Sequence, residues 1–164
     1  MSASYRQVRQ YERAPIRERG VLIAGGVSYP GIIGRVGGGG VFFETELDLK
    51  KGDVVTLKFR LACLEEAVVV KGEVRWVAEE NREHLRGLGI AFLDLDAGRR
   101  DRIVEFVAER GNVLASVDSL LRDRNADLTR IQDLLSRVDL DNVTSLEDLR
   151  ERVKTGMQGF FDRF

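Results

Sequence analysis

From Val21 to Phe92 apolar and polar residues alternate with a period of two, the spacing of strands with one packed and one wet face. Val21 to Ala24 reads as a short strand and Gly25-Gly26 as a hairpin turn. Ile32 to Val36 and Val41 to Thr45 read as strands on either side of a run of glycines. After a turn at Lys51-Gly52-Asp53, Val55, Leu57, Phe59 and Leu61 share one face. In AVVVKGEVRWVA, Val68, Val70, Val74 and Trp76 fall in alternating positions, with a bend at Gly72. A charged loop from Glu79 to Arg86 leads to GLGIAFLDL, where Leu88, Ile90 and Phe92 point one way. Six short strands with no helix between them predict a closed or nearly closed antiparallel barrel, which removes exposed sheet edges.

Beyond Phe92 the period lengthens. Asp96 has the chemistry of an N-cap, and Ile103, Val104, Phe106 and Val107 recur at helical spacing, which predicts a helix covering the barrel. Gly111-Asn112 has the look of a C-cap, yet the apolar spacing continues past it. Leu114, Leu121, Leu128 and Leu135 fall seven apart, followed at three residues by Val117, Arg124, Ile131 and Val138. Such a stripe serves either as a seam for a second copy or as the inner face of a helix folded onto its own barrel. Arg110 and Arg124 occupy seam positions, where a buried charge is costly unless paired. Thr144-Ser-Leu-Glu147 has the pattern of a capping box and opens a last amphipathic helix ending in Phe160, Phe161 and Phe164. Its phenylalanines suit the preceding helix, a neighbouring subunit or a membrane surface, the last disfavoured by the even mix of acidic and basic residues from 144 to 164.

This pattern divides the chain into an arm at 1–20, a barrel with its covering helix at 21–110, and a helical tail at 111–164. The arm is broken by Pro15 and Gly20 and carries Arg6, Arg9, Arg13, Arg17 and Arg19 against Glu12 and Glu18. Over the whole 164 residues the formal net charge is only -1, so the positive charge is local and no nucleic-acid polymer is the expected partner. Arginines four apart, Arg9 with Arg13 and Arg13 with Arg17, suit either a solvated basic tail or a clamp on phosphate.

The glycine run, Gly37 to Gly40, is either a plain tight turn or a place where backbone approaches a ligand. No Lys-Ser or Lys-Thr comes after it, and it leads into a strand, so it is neither a Walker loop nor a dinucleotide fingerprint. The lone His84 and lone Cys63 lie in different segments without metal-ligand or nucleophile partners. These residues offer no catalytic constellation and no metal site. No apolar run reaches the length of a membrane span, the first residues lack the apolar stretch of a secretory signal, and one cysteine forms no internal disulfide, so a cytoplasmic protein is expected.

The order of these pieces, an arginine arm, a glycine turn leading into VFFETELDLKKGDVVTLKF, then GEVRWV and GLGIAFLDLDAGRRDRIVEFV, resembles the PilZ domain family over about residues 9 to 110. PilZ domains are bacterial receptors for cyclic di-GMP. The resemblance implies a mainly β fold with a helical tail, a six-stranded antiparallel barrel, and no catalysis. In the family an RxxxR arm grips the phosphates and one guanine, and a D/NxSxxG motif on the barrel holds a guanine. Arg9 with Arg13 fits the first motif, with Arg13 and Arg17 as the alternative frame. The second departs from the pattern, because Arg35, Gly37 and Gly40 stand at its Asp, Ser and final Gly positions and only Gly40 matches. Arg35 supplies donors alone and Gly37 no side chain, a loss on the order of 2 to 6 kcal/mol for a buried base edge.

The resulting expectation is a regulatory adaptor in motility or envelope signalling. It acts through protein contacts, binds cyclic di-GMP weakly or not at all, and self-associates through residues 112 to 138, with no membrane insertion. The alternative is a working cyclic di-GMP receptor that relies on its arginine arm. Arg9, Arg13, Arg17, Arg35 and Gly40 are the candidate ligand residues, and Leu114, Val117, Leu121, Leu128, Ile131, Leu135 and Val138 the candidate seam.

Overall fold

The computed structural model describes residues 11–80, 86–122 and 128–137. Six antiparallel strands close into a barrel: β1 (Arg13–Ala24), β2 (Val27–Gly37), β3 (Gly40–Glu44), β4 (Val54–Phe59), β5 (Val68–Ala78) and β6 (Gly87–Phe92). Their order around the barrel is β1-β2-β3-β6-β5-β4, closed by pairing of β1 with β4 from Gly20↔Phe59 to Ile23↔Thr56. Helix α1 (Ala97–Arg122) comes next, then a short α2 (Leu128–Ser136). Among the described residues no helix is long and apolar enough to cross a membrane.

The alternating apolar positions fill the barrel. Leu22, Ile33, Val36, Val41, Phe43, Leu57, Val68, Val74, Leu88 and Ile90 are buried together, and α1 adds Ile103 and Val107 to the same core. Gly25 and Gly26, with φ of 57° and 77°, make the two-residue β1–β2 turn in the left-handed conformation that such hairpins need.

The first strand is longer than the alternation suggested. It begins at Arg13 rather than Val21, so the basic segment from Arg13 to Gly20 is barrel and not arm. The pattern is hidden by a register shift between Pro15 and Glu18, which breaks strict alternation. A second shift lies between Ile33 and Arg35, so that Ile33 and Val36 both face inward while Arg35 lies opposite Phe42. A third, between Val74 and Trp76, corrects the expected face of Trp76. Trp76 turns to the barrel exterior, where its ring stacks on Phe42 at 5.3 Å and roofs Gly89, whose added Cβ would collide with the indole. Gly72 is not a bend but a packing necessity, since an added Cβ would run into Ile90 in the core.

Asp96 caps α1 as expected, its Oδ1 accepting the Arg99 backbone N–H at 2.9 Å. The helix runs through Gly111 without a break. Its first half packs on β1 and β2, and its second half continues to Arg122. There Leu114, Val117 and Leu121 are buried with Ile131 and Leu135 of α2. Of the heptad stripe, Leu114, Val117, Leu121, Ile131 and Leu135 are between 0% and 6% exposed and pack helix on helix within the chain, with Val113, Leu120 and Leu134 half-buried beside them. Val138 and Arg124 lie outside the described residues, and of Leu128 only the backbone position in α2 is described. Arg110 at its seam position is buried with its guanidinium over the Phe106 ring at 5.2 Å.

Candidate functional site

The β2–β3 turn draws three elements together. β2 ends at Gly37, β3 begins at Gly40, and Gly38-Gly39 make the turn. None of these four glycines has positive φ, which among the described glycines is confined to Gly25, Gly26 and Gly52. Space, not backbone handedness, demands them. A Cβ at Gly37 would collide with the Glu12 carbonyl oxygen and stand 3.0 Å from Arg13 Cγ. At Gly38 it would stand 2.7 Å from Val104 Cγ2 and 3.0 Å from Tyr11 Cδ1, and at Gly39 3.1 Å from Tyr11 Cδ2. At Gly40 it would collide with the Ile90 carbonyl oxygen of the neighbouring strand.

Those distances place the Tyr11 ring against the turn, its Cδ1 side at Gly38 and its Cδ2 side at Gly39. The covering helix completes the enclosure. Arg100 and Val104 are four apart on α1 and share a face, so Val104 meets Gly38 while the Arg100 guanidinium lies over the Tyr11 ring at 5.6 Å from its centre. The Nε of Arg100 is buried with no hydrogen-bond partner among the described residues. The peptide platform, the aromatic ring and the cation thus form a stack built from the segment before β1, the β2–β3 turn and α1.

Each candidate from the sequence has a definite place relative to this stack. Arg9 lies outside the described residues. Arg13 is half-buried and pairs with Gly37, directly beside the turn. Arg17 is exposed and lies in the register shift of β1 between Pro15 and Glu18. Arg35 is half-buried on β2 opposite Phe42, two residues before Gly37. Gly40 pairs with both Gly37 and Ala91 and is fixed by that close packing. Tyr11, Arg100 and Val104 carry no mark as site residues in the sequence. Their meeting is non-local, and only the helical spacing of Arg100 and Val104 could have hinted at it.

Gly37, which the resemblance sets at the motif's Ser, has no room for a side chain while Glu12 and Arg13 stay where they are. The departure from the ligand motif is therefore matched by the approach of the chain's own amino-terminal segment. Elsewhere the chemistry is sparse. Among the described residues no group of three His, Cys, Asp or Glu is arranged to hold a metal. Cys63 is half-buried, and burial pushes its thiol up from the ordinary range, partly opposed by a backbone hydrogen bond and the nearby Arg102.

Comparison with known proteins agrees with this geometry. The chain is similar in fold to the inhibitor of motility MotI (DgrA) of Bacillus subtilis, with 17% identity and a TM-score of 0.56, the match covering 67% of this chain and 56% of that one. It is also similar to the PilZ domain of YcgR from Escherichia coli, solved with cyclic di-GMP, at 11% identity and a TM-score of 0.52 over 67% of this chain and 98% of that domain. The larger YcgR structure with cyclic di-GMP gives 16% identity and 0.53 over 67% of this chain and 50% of that one. At such identities the likeness is one of fold. No curated protein matches the chain by sequence. The PilZ domain model matches residues 7–109, the span that holds Tyr11, the whole barrel and the Arg100–Val104 face of the helix, and the chain belongs to the PilZ domain family, a family of non-catalytic receptor and adaptor domains.

Proposed function

We propose that this chain is a PilZ regulatory adaptor that works through protein contacts, with affinity for cyclic di-GMP weakened at the glycine turn. The observation that carries the reading is the packing of Gly37 to Gly39, which are covered by Glu12, Tyr11 and Val104. A guanine edge needs acceptors and donors in this place. It meets Arg35, a donor only, at the acceptor position, and backbone of the chain's own amino-terminal segment where a hydroxyl belongs. The similarity to MotI, described as an inhibitor of motility, supports motility machinery as the setting.

Isothermal titration with cyclic di-GMP tests the reading. The expected result is a dissociation constant weaker than about 10 μM, in keeping with the loss of two polar partners from a buried base edge. A submicromolar constant would overturn it.

A second reading is favoured by one observation, the position of Arg13 beside Gly37. There its guanidinium can reach a phosphate at the turn, which would make the chain a working receptor. Arg13→Ala would then abolish a binding signal that the wild type gives clearly.

A further inference from the structure

Tyr11 is an aromatic ring in contact with groups that suit a flat ring in general. It adjoins bare peptide, because Gly38 and Gly39 carry no side chain, and the Arg100 guanidinium lies over the ring at 5.6 Å from its centre. Peptide planes and guanidinium planes are what a purine base stacks on equally well. Nothing in this arrangement is specific to a phenol. The cation is supplied by α1, outside both of the sequence motifs that suggested a ligand, and among the described residues its buried Nε has no hydrogen-bond acceptor.

We infer that Tyr11 occupies a slot for a planar base, pinned there by Arg100, so that a purine of a cyclic dinucleotide enters only by displacing it. Arg100 is a positioning residue for the tyrosine and becomes a stacking residue for the base. The inference deepens the proposed weak binding and rests on that reading for the identity of the ligand. It adds a cause: wild-type affinity is lowered by the fraction of molecules in which Tyr11 has left the slot. A cation–π contact of this exposure and the ring's packing on the turn together make that fraction about one in ten.

The release has a structural consequence close by. Glu12 and Arg13 come directly after Tyr11 and pack against Gly37, so freeing the ring loosens the start of β1. The slot is thereby coupled to the edge of the barrel.

Hydrogen exchange and calorimetry on the full chain test the inference together, with wild type, Tyr11→Ala, Tyr11→Phe and Arg100→Ala compared. Without ligand, Tyr11→Ala and Arg100→Ala should raise exchange of amides 12 to 14 and 37 to 40 by about fivefold or more, while Tyr11→Phe, which keeps the ring, should match wild type. With cyclic di-GMP as the probe, Tyr11→Ala should bind about five- to tenfold more tightly than wild type, and Arg100→Ala more weakly than Tyr11→Ala, because it loses the base's upper face as well. Equal affinity of wild type and Tyr11→Ala, or unchanged exchange in Tyr11→Ala, would overturn the inference. Absence of binding by every variant would overturn it too, while leaving the adaptor reading in place. Submicromolar wild-type binding would instead overturn the adaptor reading, and the ratio between variants would still decide the slot.

Discussion

Replacing Ile131 tests whether the helical tail is closed within the chain. Helix α2 spans nine residues, below the length at which a helix in water holds itself, so its burial against α1 supplies its stability. Ile131 is 0% exposed and Leu135 2%, and two such side chains contribute about 3 to 6 kcal/mol between them. Ile131→Ala removes about 2 to 5 kcal/mol by lost transfer energy and the cavity left behind, which is most of that holding energy. The expected result is loss of amide protection across residues 129 to 136 by about thirtyfold or more, with the barrel midpoint unchanged, since Ile131 belongs to a separate apolar cluster. The assay is native-state hydrogen exchange, repeated at protein concentrations about a hundredfold apart, because a contact between chains obeys mass action and one within a chain does not. For a hairpin closed within one chain, protection in α2 is independent of concentration. Protection that rises with concentration, or an oligomer that Ile131→Ala converts to monomer in light scattering, would contradict the closed hairpin and restore a seam between chains.

Three other perturbations probe the barrel. Gly40→Ala drives a methyl group into the Ile90 carbonyl and should cost about 1 to 3 kcal/mol in denaturant unfolding, without any contribution from backbone handedness. Trp76→Ala removes a ring stacked on Phe42 and uncovers Gly89, and stability in denaturant should fall by about 1 to 2 kcal/mol, whereas an interior Trp would cost about 3 to 5. Cys63, its thiol pushed up by burial, should react with iodoacetamide at about pH 8 more slowly than a free cysteine. Because its folded pKa is raised, the contribution it makes is complete below the ordinary thiol range and is lost as pH rises through the folded value. Cys63→Ala should therefore remove part of the alkaline fall in stability.

The barrel was legible because an antiparallel sheet with one packed face writes itself as alternation, and Leu22, Leu57, Phe59, Val70, Leu88 and Ile90 obey that rule strictly. The irregular places were not legible for the same reason. Between Pro15 and Glu18, at Gly34 and at Arg75 an extra residue enters one strand, and beyond each one strict alternation assigns the wrong face. This is why β1 looked short and why Trp76 looked interior. In the tail, a seven-residue repeat is compatible with a partner chain and with a helix of the same chain. The repeat alone does not choose between them, because both bury the same Leu114, Val117, Leu121, Ile131 and Leu135 face. At the glycine turn the closeness of Arg35, Gly37 and Gly40 was readable, since they fall within one short stretch. The Tyr11–Arg100 stack joins residues 89 positions apart, and no local pattern marks such a meeting.

The proposed weakening of cyclic di-GMP binding rests on Tyr11 lying against Gly38 and Gly39, and proton NMR of the ligand-free chain measures that placement directly. Ring protons of Tyr11 should show nuclear Overhauser contacts to the α-protons of Gly38 and Gly39, the glycine α-protons should be shifted by the ring current, and a methyl of Val104 should contact Gly38. Random-coil shifts for Gly38 and Gly39 and no contact to Tyr11 would mean that the turn stands open, and a tyrosine-filled slot could then not be the cause of weak binding.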